Sequence, residues 1–130
     1  MKTILIAEDE PAVLAMTALF LQKAGYECIK TPDGQSAVEA FRSAPGIDAL
    51  VSDIRMPGLT GFELGRTLRL ISPGLPILLM SGFAGHTRED SQGLFEEQNV
   101  QFLPKPFTAG QLLASVDMLF AMQPVRQGVA

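Results

Sequence analysis

Cysteine is nearly absent. Cys28 is the only one in 130 residues, so no intrachain disulfide can form, and the usage fits a reducing cytosol. Cationic residues are scarce too: 10 Lys and Arg stand against 14 Asp and Glu, a formal charge of −4, with no basic stripe. A general binder of phosphate backbones needs clustered Lys and Arg to release counterions, so direct nucleic-acid binding is not expected. Long apolar runs are missing as well. The N-terminal MKTILIAEDE meets two acids too early for the core of a signal peptide. The most apolar window, AVLAMTALFL at 12–21, falls short of the roughly 20 residues that span a bilayer. No P-loop or GxGxxG pattern, internal repeat or long linker occurs. What remains is a soluble chain of 47% apolar and 18% charged residues, enough for one core and one domain.

The apolar residues change period along the chain. TILIA at 3–7 reads as a strand, followed by the acids Glu8, Asp9 and Glu10 and by Pro11 as a first helical residue. Leu14, Ala18 and Leu21 at helical spacing carry that helix to Gly25. YECIK at 26–30 is a second strand, with Cys28 expected as buried filler in an internal strand. The turn TPDG opens a second helix, closed by APG at 44–46, and IDALVS at 47–52 is the third strand. Thr60 and Glu63 have capping-box spacing, so a third helix starts there and runs to Ile71. LPILLMS at 75–81 is apolar enough for a central strand covered on both faces. The segment after it, which includes His86, Gly93, Leu94 and Phe95, reads as a weakly anchored fourth helix. VQFLP at 100–104 is the fifth strand. Thr108 and Gln111 repeat the capping-box spacing before a fifth helix, and residues 123–130 form a frayed tail after a domain of residues 1–122. Five strands alternating with five helices predict a doubly wound α/β fold with a parallel sheet.

In such sheets ligands bind beyond the carboxyl ends of the strands. Glu8 and Asp9 follow strand one, Asp53 follows strand three, Ser81 ends strand four, and Lys105 stands between two prolines after strand five. Three carboxylates gathered there repel by about 4 kcal/mol per pair at ~4 Å and an effective dielectric near 20. Either their pKa values rise or a cation binds. Oxygen ligands with room for water and a phosphate suit Mg²⁺. A carboxylate can also be the nucleophile in phosphoryl transfer, with a metal, an ammonium and a hydroxyl around the phosphoryl oxygens.

The set EDEP at 8–11, SDIRMPG at 52–58, MSG at 80–82 and LPKPF at 103–107 resembles the receiver domain of two-component response regulators, from Thr3 to about Met122. The resemblance implies a flavodoxin-like sheet of order 2-1-3-4-5. It implies that a histidine kinase or histidine phosphotransfer domain phosphorylates Asp53. Mg²⁺ would be bound by Asp9, Asp53 and the main-chain carbonyl of Arg55, with Glu8 acting through a water on the metal. Ser81 and Lys105 would contact the phosphoryl oxygens, and the Lys105–Pro106 bond would be cis. A downstream protein would read the face built from the fourth helix, the fifth strand and the fifth helix, in a cytoplasmic monomer or weak phosphorylation-dependent dimer with no DNA-binding output domain. Self-catalysed phosphoryl transfer and autodephosphorylation would be its only chemistry.

Some positions depart from the family's commoner pattern. Glu8-Asp9 stands where Asp-Asp is more usual, and Phe102 stands where many members carry a switching Tyr, so Ser81 and Phe102 can switch by packing but not through a phenolic hydroxyl. Arg55 and Phe83 occupy positions that tune loss of the phosphoryl group. Gly61 and Gly82 are expected to serve backbone geometry. Two other classes compete with the phosphoacceptor reading. A binding scaffold that ignores phosphate is disfavoured by the intact Glu8, Asp9, Asp53, Ser81 and Lys105. A phosphohydrolase with an aspartyl nucleophile typically needs a second acid two residues on, where Arg55 stands.

Overall fold

The computed structural model describes residues 1–82 and 99–121. Five strands, β1 (Thr3–Ala7), β2 (Glu27–Thr31), β3 (Ala49–Asp53), β4 (Ile77–Ser81) and β5 (Val100–Pro104), form one sheet. The helices among the described residues are α1 (Pro11–Lys23), α2 (Gly34–Ser43), α3 (Gly61–Ile71) and α4 (Ala109–Ala121). Every strand pair is parallel, as the alternating pattern predicts, and the order is β2-β1-β3-β4-β5, as the resemblance implies. The expected fourth of five helices, at 85–98, lies outside the described residues, and α4 is the one expected as the fifth.

Alternation along the strands sorts the apolar residues into two cores. Ile4, Ile6, Ala49, Val51, Leu78 and Met80 pack with Ala18 and Leu21 of α1 and with Leu112, Val116 and Leu119 of α4. The intervening Leu5, Leu50, Ile77 and Leu79 pack on the other face with Ala37 of α2 and with Leu64 and Leu68 of α3. β1, β3 and β4 are therefore buried on both sides, which is why their sequences read as nearly continuous apolar runs. Tyr26 ties α4 to the β2 side of the sheet: its hydroxyl lies 3.3 Å from Asp117 Oδ1 and its ring 5.8 Å from that of Phe120.

Local chemistry sets the helix ends. Pro11 opens α1, and Gly25 beyond it takes φ +99°, a conformation that only glycine adopts cheaply. Asp33 caps α2 by accepting the Ser36 N–H at 2.7 Å. Thr60 caps α3 in a complete box: its hydroxyl accepts the Glu63 N–H at 3.1 Å and the Glu63 carboxylate accepts the Thr60 N–H at 2.8 Å. Thr108 and Gln111 make the same reciprocal pair before α4, at 3.1 and 2.9 Å. Three expectations need correction. β2 is an edge strand, so Cys28 is half-buried and not internal filler. β2 lies one residue later than read, at 27–31, and β3 begins at Ala49 and includes Asp53, because pairing with Met80 carries the ladder on to that residue.

Candidate functional site

The sheet order reverses direction at β1, between β2 and β3, so the crevice beyond the carboxyl ends opens between β1 and β3. β1 delivers Glu8 and Asp9 there and β3 delivers Asp53. One carboxylate oxygen from each of the three lies within 4.8 Å of the others. An open cleft of about 210 Å³ is lined by Asp9, Asp53, Arg55, Ser81 and Lys105 among others. Four of the strand-end positions singled out in the sequence thus meet in one place, with Glu8 beneath them.

Main-chain bonds fix the frame. The Glu8 N–H donates to the Thr31 carbonyl (3.1 Å), Ile54 N–H to Met80 (3.0 Å) and Lys105 N–H to Ser81 (2.8 Å), so each loop leaves its strand still tied to a neighbour. The Ser52 hydroxyl donates to the Asp53 carbonyl at 2.8 Å. α3 approaches this loop closely: the Gly61 N–H donates to the Ile54 carbonyl at 2.9 Å, and a Cβ at Gly61 would lie 2.5 Å from the Asp53 carbonyl oxygen. Gly61 thus serves geometry as expected. Gly82 does not, since its nearest neighbours would be Lys105 carbons at 4.0 Å and its φ is not positive. The Lys105–Pro106 bond is cis.

The charges are unevenly placed. Asp53 is 7% exposed and Glu8 is fully buried, whereas Asp9 is exposed. Lys105 Nζ lies 2.7 Å from Glu8 Oε1 and 3.4 Å from Asp53 Oδ1. The other Glu8 oxygen accepts the Glu10 N–H at 3.0 Å. Burial raises the Glu8 pKa, outweighing the opposing pull of Lys105 and the Glu10 N–H. Burial likewise raises Asp53 against the pull of Lys105, and the Asp9 charge adds to the rise. For Lys105 burial alone would lower the pKa, but the hydrogen bond to Glu8 and the Asp53 charge outweigh it and the net direction is up.

Ser81 is half-buried at the end of β4 and lines the cleft. Phe102 on β5 is 38% exposed, with its ring 6.5 Å from that of Phe62 on α3. Phe83 and His86 lie outside the described residues. Sequence reasoning missed Phe62 and the Glu10 N–H. The apolar position following Gly61 points to Phe62, but nothing local marks the backbone donor.

A family model described as the response regulator receiver domain matches residues 4–117. The chain belongs to that family. Its relatives include the response regulator receiver protein CpdR of Brucella abortus, 33% identical over 92% of this chain and 97% of that one. The sensor kinase CckA of the same organism is 35% identical over 93% of this chain but only 13% of its own length. Indeed, this receiver spans between 10% and 32% of the first curated relatives it matches. Among solved structures, the response regulator TrrA of Thermotoga maritima in complex with Mg²⁺-BeF superposes with a TM-score of 0.80, at 28% identity, over 92% of this chain and 99% of that one. The receiver is therefore a signalling domain of two-component systems and not a conventional enzyme. No helix among its described residues is long and apolar enough to cross a membrane.

Proposed function

We propose that Asp53 is the phosphoacceptor of this receiver, taking its phosphoryl group from the phosphohistidine of a histidine kinase or histidine phosphotransfer domain in the cytoplasm. The observation that carries the reading is the meeting of Asp53 with Lys105, 3.4 Å away, and with two further carboxylates, in a cleft open to a donor. In the transfer an Asp53 oxygen forms the new P–O bond while the donor's P–N bond breaks. The bonding pair stays on the imidazole nitrogen, which takes a proton from solvent.

The three oxygens within 4.8 Å fit a hard divalent ion. Asp9, Asp53 and the Arg55 carbonyl would hold Mg²⁺, an ion that the similar TrrA structure carries in its complex with Mg²⁺-BeF. When bound, Mg²⁺ offsets the negative charge that the acids and the incoming phosphoryl oxygens share. Lys105 and the Ser81 hydroxyl supply the remaining donors. Asp53, as the last residue of a strand buried on both sides, holds its nucleophilic oxygen in place. Arg55, exposed at the rim, and Phe83 tune how fast the phosphoryl group is lost.

The output surface is the family's face of fourth helix, fifth strand and fifth helix, here β5 and α4 together with 83–98. Exposed Phe102 and half-buried Ser81 stand at its inner edge as the switch pair. Moving such a switch from 1:99 to 99:1 takes about 5.5 kcal/mol of preference for one state. The receiver occupies residues 1–122 and acts as a monomer or a weak dimer. Incubation with acetyl phosphate and Mg²⁺ should add one phosphate by intact mass, and Asp53→Asn should abolish the addition. A wild-type chain that stays unmodified under these conditions refutes the reading.

A further inference from the structure

Glu8 and Asp9 are adjacent acids with opposite surroundings. Asp9 is exposed and lines the cleft, whereas Glu8 has no exposed surface and is not among the lining residues. Both Glu8 oxygens already have protein donors: Oε2 accepts the Glu10 N–H at 3.0 Å and Oε1 the Lys105 ammonium at 2.7 Å. The second distance is that of a strong charge-assisted hydrogen bond, while the 3.4 Å from Lys105 to Asp53 is not. In this state the lysine serves Glu8 first and the acceptor second.

A fully buried carboxylate is costly without a cation, so Glu8 resists losing Lys105. The same ammonium lies 3.4 Å from Asp53 Oδ1. We propose that Glu8 is a positioning residue that competes for Lys105, holding the ammonium in the resting state and yielding it only in part once Asp53 carries a phosphoryl group. The inference rests on the phosphoacceptor reading of Asp53. It gives the Glu8 carboxylate a role through the lysine, beside the metal role implied by the resemblance. Length is essential to this role: an aspartate at position 8 is one carbon–carbon bond, about 1.5 Å, shorter and would not reach Nζ.

Two measurements test it. In metal-free buffer without phosphodonor, the Tm change caused by Glu8→Gln is compared in the wild type and in Lys105→Met, and the same comparison is made for Asp53→Asn. All three substitutions keep side-chain shape closely enough to leave the fold intact. The Glu8 comparison should differ between backgrounds by several degrees and by more than the Asp53 comparison; an equal or larger Asp53 difference overturns the proposal. Next, the phosphorylated protein is prepared with acetyl phosphate and its decay followed at saturating Mg²⁺. Glu8→Gln and Glu8→Asp should both slow decay at least threefold, because the lysine is then free for the phosphoryl oxygens. Wild-type decay in Glu8→Asp, which keeps the charge but loses the reach, overturns the proposal. If the wild type accepts no phosphate, the phosphoacceptor reading has failed, and the Tm comparison still decides whether Glu8 is the main partner of Lys105.

Discussion

Substituting Gly61 by alanine tests how tightly α3 backs onto the acceptor loop. The new Cβ would lie 2.5 Å from the Asp53 carbonyl oxygen, 3.0 Å from Ile54 Cα and 3.2 Å from the Asp53 carbonyl carbon. All three are backbone atoms, which cannot rotate aside as a side chain would. Overpacking typically costs about 1–3 kcal/mol, and the backbone contacts put this site near the upper end. Alanine recovers up to about 1 kcal/mol over glycine in a helix, leaving a net loss of about 2 kcal/mol. For a chain of this size each kcal/mol shifts Tm by about 3–5 °C, so Gly61→Ala should lower Tm by about 6–10 °C in thermal unfolding followed by circular dichroism. Because the displaced atom belongs to Asp53, phosphorylation by acetyl phosphate should slow as well. Gly110→Ala is the control, since its nearest neighbour would be Thr108 Oγ1 at an ordinary 3.9 Å; it should raise Tm slightly and leave phosphorylation unchanged. A Gly61→Ala protein as stable as the wild type would refute the close approach.

Other outcomes follow from the charges and from Cys28. Burial raises the folded-state pKa of Glu8 and Asp53, so from the ordinary carboxylate range upward the folded state binds protons more tightly than the unfolded one, and stability falls as pH rises through that window. Metal-free protein should therefore melt higher near about pH 5 than near about pH 7.5, with a smaller slope in Asp53→Asn; a wild-type Tm that climbs over this range contradicts the assignment. Mg²⁺ at ten times its dissociation constant should add about 1.4 kcal/mol of stability, seen as a higher Tm that EDTA reverses, and no response at millimolar Mg²⁺ would count against the ion site. Burial pushes the Cys28 thiol up to about 11, so near pH 8 only about one in a thousand is thiolate. Iodoacetamide should label the folded chain far more slowly than the urea-unfolded one, and equal rates would contradict that.

Much of the fold was legible because its signals are local. The capping pairs Thr60 with Glu63 and Thr108 with Gln111 involve residues three apart, and both form as read. Parallel pairing follows from alternating strands and helices, and that pairing brings the strand-end residues to one edge of the sheet, whereas the strand order came from the resemblance. Strand limits were less legible, since the last rung of β3 depends on Met80, 27 positions away in the chain and invisible to a local pattern. The edge position of β2 was missed for Cys28 because an apolar strand reads alike at an edge and at the centre. The resemblance gives Glu8 and Asp9 different metal roles, but nothing local in the sequence shows their opposite burial. The turn after β1 aims Glu8 inward at Lys105 and leaves Asp9 exposed.

The sorting of side chains between the two cores has a further consequence. Glu8, Asp53 and Lys105 extend the alternation of Ile4 and Ile6, of Ala49 and Val51, and of Leu103, all of which belong to the core beneath α1 and α4. A slip of one residue in β3 against β1 and β4 would push the leucines of one core into the other and turn Asp53 toward the opposite face. A misregistered chain is thus both poorly packed and chemically silent, so cellular quality control that removes badly packed molecules would at the same time remove those unable to relay a signal.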